Sequence, residues 1–91
     1  MISVNTSDFG WNEIENKYYL VSYKQNKYFE LNYVGRRIWE WAVSKKAFDD
    51  SEISCIVNAL SEEYNKKASD IYDDVQAFLQ SLKEIRALLE E

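Results

Sequence analysis

The apolar residues of this 91-residue chain change their spacing once, at Asn32. Between Asn26 and Leu31 they alternate with polar residues, which is typical of a half-buried β-strand. From Tyr33 onward they recur every three to four residues, which is typical of an amphipathic helix. The chain is therefore predicted to place its strands before Asn32 and its helices after it. We expect an α+β protein in which each layer covers the apolar face of the other.

Three short segments before Asn32 are predicted to form a three-stranded antiparallel meander, because they are rich in aromatic and β-branched residues and are separated by polar breaks. They span residues 11–14, 18–23 and 27–31. In the third segment Phe29 and Leu31 share one face, and Tyr28 and Glu30 share the other, as the two-residue period of a strand requires. Phe29 and Leu31 are therefore also candidates for the core side of the sheet.

Three helices are predicted to follow the strands. The first covers residues 33–44, with Asn32 as its N-cap and Gly35 at a point of close backbone approach. The second begins at a D-x-x-E pattern in which Asp49 caps the helix and Glu52 reaches back to complete a capping box. The third begins near residue 69, continues to residue 89, and carries the apolar stripe Ile71, Val75, Phe78, Leu79 and Leu82. Residues 1–91 are expected to form one domain.

Residue types that most catalytic sites need are absent or rare in this chain. It contains no histidine, one cysteine (Cys55) and two glycines. Without histidine it lacks the commonest general base near neutral pH and the commonest metal ligand, and it has no glycine-rich loop that could cradle a phosphate. The sequence therefore predicts that the protein is not an enzyme and binds no metal and no cofactor.

The formal net charge of the chain is -5. Nucleic acids and anionic membrane surfaces both attract basic proteins, so neither is the expected partner. The N-terminus has no signal-peptide pattern, and no apolar run approaches the length of a membrane span. We therefore expect a cytoplasmic protein whose partner is neutral, basic or apolar.

If the meander has only three strands, one side of the third predicted strand pairs with no other strand. Such an edge offers free N–H and C=O groups, which soluble proteins normally protect with charges or a covering element. Lys27 and Glu30 are the only charged residues of this strand, and its other residues are of the kind that recruit another strand. This edge is a candidate site for a peptide that adds itself to the sheet.

Several short motifs, in this order and spacing, resemble those of PqqD-like proteins. The motifs are Tyr28-Phe29-Glu30-Leu31-Asn32, Gly35, Ile38-Trp39-Glu40, Glu52-Ile53, Leu60-Ser61-Glu62-Glu63-Tyr64 and Asp74-Val75-Gln76-Ala77-Phe78-Leu79-Gln80-Ser81-Leu82. The resemblance runs from about Tyr18 to Leu89. It implies a RiPP recognition element, which is a small winged helix-turn-helix-like fold without catalytic activity.

The resemblance implies that the chain binds the N-terminal leader of a ribosomally synthesised precursor peptide and presents it to a leader peptidase or another modifying enzyme. The "LNYVGRRIW" stretch is most similar to stand-alone leader-binding proteins of lasso-peptide biosynthesis. The leader is expected to pair with the third strand and to lie against one margin of the third helix. The implied peptide-binding residues are Lys27, Tyr28, Phe29, Glu30, Leu31, Asp74, Ala77, Phe78 and Ser81.

Three other functions stay open at this point. A PqqD-type peptide chaperone for a radical SAM maturase would use the same strand and helix. A winged helix-turn-helix regulator would bind DNA, although residues 61–91 contain eight acidic and four basic residues, which disfavours DNA binding. A structural adaptor would dock a protein partner through the aromatic surface.

The opposite margin of the third helix, with Tyr72, Gln76 and Lys83, is the alternative wall for a bound leader.

Overall fold

The computed structural model describes residues 1–91, the whole chain, as six strands and three helices. In chain order they are β1 (Ile2–Val4), β2 (Phe9–Ile14), β3 (Lys17–Ser22), β4 (Lys27–Leu31), α1 (Tyr33–Lys45), β5 (Ala47–Phe48), α2 (Asp50–Tyr64), α3 (Ala68–Glu84) and β6 (Leu88–Glu90). The predicted α+β class is confirmed, with four strands before Asn32 and three helices after it, but two short strands, β5 and β6, also follow Asn32. None of the three helices is long and apolar enough to cross a membrane.

The predicted meander is confirmed as an antiparallel sheet in the order β2-β3-β4. Glu15 and Asn16 join β2 to β3 with positive φ angles of 52° and 68°, which suits a tight two-residue hairpin turn. In β4, Leu31 lies opposite Tyr18, and Phe29 lies opposite Leu20. These two pairs lie on the face of the sheet that packs on the core.

A second sheet, in the order β5-β1-β6, was not predicted. The description of the fold as one three-stranded sheet followed by three helices is therefore incomplete. The strands of this sheet have only two or three residues each and come from both ends and the middle of the chain. Such short strands carry no readable period of two, so only tertiary packing defines them.

The predicted continuation of the third helix to residue 89 is wrong. The helix ends at Glu84, Arg86 has a φ of 67°, and Leu88 pairs with Val4 in β6. The buried side chain of Asn5 stabilises this ending, because its Nδ2 group donates a hydrogen bond to the carbonyl oxygen of Arg86 at 2.8 Å. The apolar residues that looked like a last helical turn form an edge strand instead.

The predicted helix caps are confirmed. Asn32 accepts a hydrogen bond from the backbone N–H of Gly35 at 2.8 Å, which fixes the start of α1 directly after β4. Asp49 and Glu52 form the capping box of α2. Each cap satisfies backbone N–H groups that the helix itself leaves free. The Asn32 cap also sets the angle at which the chain turns from the sheet into the helices.

One cluster of 19 buried apolar residues joins both sheets and all three helices. Its largest fully buried side chains include Trp39 of α1 and Phe48 of β5. From the third helix it takes Ile71, Val75, Leu79 and Leu82, as the predicted stripe requires, whereas Phe78 is half-buried at the edge of the cluster. The core therefore holds α3 in place and leaves one of its margins facing outward.

Candidate functional site

β4 has a free outer edge. It pairs with β3 on one side only, and β1, which could have covered it, is the central strand of the other sheet. The outer N–H and C=O groups of β4 are therefore available to another strand. This is the geometry that strand addition requires.

The two faces of β4 differ as the alternating sequence predicted. Leu31 is buried, Phe29 is half-buried against the core, and Lys27, Tyr28 and Glu30 are exposed. Phe29 and Leu31 therefore fix the strand on the molecule, which is the structural role that their alternation already allowed. The exposed residues and the backbone edge remain for contact with a partner.

A concave surface lies where β4 ends. The cavity has a volume of about 230 Å³, and its six lining residues come from the β4–α1 junction and from α3: Asn32, Val34, Gly35, Ile38, Asp74 and Phe78. Two of the predicted site residues, Asp74 and Phe78, thus share a cavity with Asn32, which directly follows β4. The other predicted residues of α3, Ala77 and Ser81, are exposed further along the helix.

A smaller cavity, about 30 Å³, marks the start of β4. Its lining joins the β3–β4 turn to the end of α3, through Asp8, Phe9, Ser22, Lys24, Gln25, Ile85 and Arg86. The residue after β4 thus shares a cavity with Asp74 and Phe78 of α3, and the turn before β4 shares one with the residues after α3, so the strand and the helix run in opposite directions on the two sides of a gap. We call the surface between them, from the Asn32 cavity to the Arg86 cavity, the β4–α3 groove.

The margin of α3 that carries Asp74 and Phe78 is the one that faces this groove. The opposite margin is occupied by contacts within the chain. Gln76 donates a hydrogen bond to the hydroxyl of Tyr72 at 3.0 Å, and Lys83 forms an ion pair with Glu90 of β6 at 3.3 Å. These contacts favour the Asp74 margin over the Tyr72 margin as a wall for a bound peptide.

Gly35 brings α1 close to the groove. A Cβ atom at this position would lie 3.2 Å from Cε1 and Cζ of Phe78 and 3.3 Å from Oδ1 of Asn32. The predicted close backbone approach is therefore confirmed, and the neighbour is the ring of Phe78. The absence of a side chain at Gly35 lets this ring lie against the helix backbone and leaves the cavity open.

Carboxylates hold the basic residues of α1 in place. Arg36 pairs with Glu13 at 3.1 Å and with Glu40 at 3.5 Å, and its guanidinium carbon lies 4.8 Å from the ring centroid of Tyr18. Arg37 pairs with Glu63 at 3.1 Å. Asp74 takes part in none of the five ion pairs of the protein. Its carboxylate therefore remains open to a cationic partner.

A hydrogen-bonded cluster fixes α1 against α2 beside the groove. Glu63 accepts a hydrogen bond from the hydroxyl of Tyr33 at 2.8 Å. This bond, together with the pairing to Arg37, lowers the pKa of Glu63 below its ordinary value. The same bond raises the pKa of Tyr33. The carboxylate is thus the form that joins the two helices.

Sequence reasoning did not place several groove residues. Asn32 was assigned only to capping and Val34 was given no role in binding, and both line the cavity at the end of β4. Ile85 and Arg86 were assigned to a helix that in fact ends before them. The only sequence signal for the first pair is their position directly after the edge strand. Ile85 and Arg86 could be placed at the groove only if the end of α3 at Glu84 were known.

Another concave surface lies at the opposite edge of the same sheet. It has a volume of about 320 Å³ and is lined by Thr6, Phe9, Gly10, Trp11 and Tyr23 beside β2. Trp11 packs edge-on against Trp39, with 5.6 Å between the ring centroids. No helix lines this surface in the way that α3 faces β4. The β2 edge is therefore a second strand edge without a groove. It can be compared directly with the β4 edge in binding experiments.

Comparison with known proteins identifies one matching protein family and two similar solved structures. The family model for coenzyme PQQ synthesis protein D (PqqD) matches residues 17–88. A structure of TbiB1 in complex with the TbiA(beta) leader peptide is 24% identical, with a TM-score of 0.81 over 98% of this chain and 96% of that chain. Lasso peptide synthetase B1 complexed with the leader peptide is 18% identical, with a TM-score of 0.82 over 98% of both chains. A search of curated proteins gives no match.

Proposed function

The chain belongs to the PqqD family, and on that basis we propose that it is a non-catalytic protein that captures the leader segment of a ribosomally synthesised precursor peptide. Residues 1–91 would act as a single leader-recognition domain. The observation that carries the proposal is the free edge of β4 beside the outward margin of α3. The two structurally similar proteins, TbiB1 and lasso peptide synthetase B1, were both solved with leader peptides.

In this proposal the leader adds a strand to β4. Its backbone hydrogen bonds go to the N–H and C=O groups that point outward from every second residue of the segment Lys27–Leu31, and these bonds tolerate many leader sequences. Alternate side chains of the added strand point towards the core side of the sheet, where α3 forms the other wall. Asp74, Ala77, Phe78 and Ser81 are the residues of α3 that we propose contact the leader.

Apolar contacts must supply part of the binding free energy. A leader that becomes ordered on binding loses several kcal/mol in conformational freedom, so a net binding free energy of about -8 to -12 kcal/mol needs two or three buried apolar side chains. The cavity of about 230 Å³ beside Phe78 and Val34 is large enough for one apolar side chain. It gives the groove a place where leader side chains are distinguished by size.

We propose that the bound leader is handed to a leader peptidase or another modifying enzyme, in the cytoplasm where the ribosome releases the precursor. Lasso-peptide biosynthesis is the preferred pathway, because one of the two similar structures is a lasso peptide synthetase B1. A peptide chaperone for a radical SAM maturase is the second candidate, because the matching family model is that of PqqD. The two differ in the enzyme that accepts the leader, and not in the way it is bound.

The proposal is tested by titrating the protein into a fluorescein-labelled peptide that comprises roughly the first 20 residues of the precursor encoded beside its gene, which is enough for one strand with flanks. We call this probe the precursor-leader peptide. Fluorescence anisotropy is expected to give saturable binding with a dissociation constant between about a micromolar and a nanomolar. Tyr28→Pro removes an N–H group from β4 and distorts its edge, so it should weaken binding by at least about tenfold.

The matched control is Glu13→Pro, which places the same substitution in β2 at the opposite edge of the sheet, where Glu13 is also exposed and its N–H points away from β3 because the neighbouring Ile14–Lys17 pair is the hydrogen-bonded pair of the hairpin. It should leave the dissociation constant within about twofold of the parent, and a thermal melt shows whether each variant is folded. No binding to the parent protein, or equal losses in two folded proline variants, would contradict strand addition to β4. Retention on heparin at low salt would instead favour a DNA-binding regulator, which the exposed Asp70, Asp73 and Asp74 of α3 disfavour.

A further inference from the structure

The two ends of the β4–α3 groove carry opposite charge. Asp74 lines the cavity at the end of β4, whereas Lys24 and Arg86 line the cavity at its start, and Lys27 is the exposed first residue of the strand itself. A peptide that lies along β4 therefore passes from a basic region to an acidic one. This arrangement bears on which peptides the groove accepts and in which register.

The acidic end keeps its charge available. The nearest basic residues of α1, Arg36 and Arg37, are paired with glutamates. Asp70 stands one turn before Asp74 on the outward side of α3 and is also exposed, so no basic side chain of either helix neutralises this end. A cationic side chain of a bound peptide would meet an unpaired carboxylate here.

The basic end has one acidic neighbour. Asp8 lines the same cavity as Lys24 and Arg86, and its Oδ2 atom accepts a hydrogen bond from Nδ2 of Asn5 at 3.1 Å. Lys24, Lys27 and Arg86 take part in none of the ion pairs of the protein. Three basic groups against one carboxylate leave this end positively charged.

We infer that the groove selects an extended leader segment with a basic residue at the Asp74 end and an acidic residue four or six positions away at the Lys27 end. This inference rests on the proposed strand addition. The spacing follows from β4 itself, because a paired strand has the same rise per residue, Lys27 is five residues before Asn32, and only residues an even number of positions apart face the same side of a strand. The order of the two charges in the leader sequence depends on whether it pairs parallel or antiparallel to β4.

The role of this charge pair is to set the register more than to supply affinity. A shift of two residues keeps the apolar side chains of a strand on the correct face, so apolar contacts alone do not strongly oppose it. The same shift moves both charges by about 7 Å and breaks both pairings together. Exposed ion pairs are individually weak, so each end is expected to change the dissociation constant by about two- to fivefold at low ionic strength.

The test exchanges charges between the protein and the precursor-leader peptide. Asp74→Lys should weaken binding by about fivefold at roughly 50 mM salt, and the loss should shrink at about 500 mM salt. Changing one particular basic residue of the leader to Glu should restore binding to this variant. Lys27→Glu should be rescued in the same way by changing one acidic residue of the leader to Lys, four or six positions from the first.

Two exposed residues provide controls. Asp73→Asn changes a neighbouring aspartate that does not line the groove, and Lys46→Gln changes a lysine beside Val4 and Val43, near the other sheet. Both should leave the dissociation constant within about twofold of the parent.

Failure of this inference can be distinguished from failure of the proposed function. If the leader binds the parent protein but Asp74→Lys and Lys27→Glu change affinity by less than about twofold, charge selection is overturned while leader capture stands. A leader whose bound segment lacks such a pair, or rescue by residues at a different spacing, overturns it as well. If the leader does not bind the parent protein, leader capture itself fails.

Discussion

Gly35 and Phe78 form the contact on which the shape of the groove depends most directly. The helix backbone at Gly35 supports one side of the Phe78 ring, and the core supports the other. A glycine inside a helix costs about 1 kcal/mol relative to alanine, so its presence here calls for a local reason. The 3.2 Å approach that a Cβ atom would make to the ring supplies that reason.

Gly35→Ala is expected to fold but to bind the precursor-leader peptide more weakly. The gain in helix propensity of about 1 kcal/mol offsets the tight contact, so the melting temperature should change by less than about 5 °C. The Phe78 ring should move into the cavity of about 230 Å³, raising the dissociation constant by about three- to tenfold in anisotropy titrations. In a protein that already carries Phe78→Leu, Gly35→Ala should change the dissociation constant by less than about twofold. Parent-like affinity of Gly35→Ala would contradict this account.

At the scale of elements, the local signals in the sequence predicted much of the fold. The meander could be predicted from aromatic and β-branched runs, and the starts of α1 and α2 from Asn32 and Asp49, because hairpins and caps depend on residues close together in sequence. The stripe on α3 showed which residues stand at its two margins, and the resemblance to PqqD-like proteins favoured the margin with Asp74, which lines the cavity after β4 together with Phe78.

The second sheet and the end of α3 could not be predicted in this way. Ile85, Leu88 and Leu89 continue a helical period, and only the distant Asn5 and β1 end the helix and pair with β6. These contacts join residues more than 80 positions apart in the chain. The basic end of the groove, with Arg86, was missed for the same reason.

The contact of α1 with α2 beside the groove should depend on pH through Glu63. Because the folded protein lowers the pKa of this carboxyl, the contact stabilises the fold above the ordinary glutamate value of 4.5 and is lost as the pH falls below it. At pH 7 Glu63→Gln should lower the melting temperature by about 1 to 4 °C. Thermal melts should show that the difference in melting temperature between the parent and Glu63→Gln disappears as the pH falls from about 5 to about 3.

Glu62→Gln is the matched control, because Glu62 is exposed beside Glu63 and takes part in no ion pair. Its melting temperature should follow that of the parent at every pH. If the difference in melting temperature between the parent and Glu63→Gln instead increases as the pH falls, the contact with Tyr33 and Arg37 does not depend on the carboxylate.

At the scale of the whole molecule, the fold gives the two edges of one sheet different surroundings. The β4 edge faces α3 across a groove with charged ends, whereas the β2 edge carries the exposed aromatic ring of Trp11 beside a shallower surface. The core that fixes β4 through Leu31 also fixes α3 through Val75 and Leu79. The spacing between strand and helix is therefore set before a peptide arrives, which lowers the cost of binding.

The most direct test is an NMR titration of isotope-labelled protein with the precursor-leader peptide, followed by amide hydrogen exchange. We expect saturable shift changes in β4, Lys27–Leu31, and along the Asp74, Ala77, Phe78 and Ser81 margin of α3. Alternate amides of β4 should become protected from exchange, because a paired strand bonds every second N–H on its outer side. Saturable binding that perturbs β2 around Trp11 and leaves the β4 amides unprotected would contradict the account.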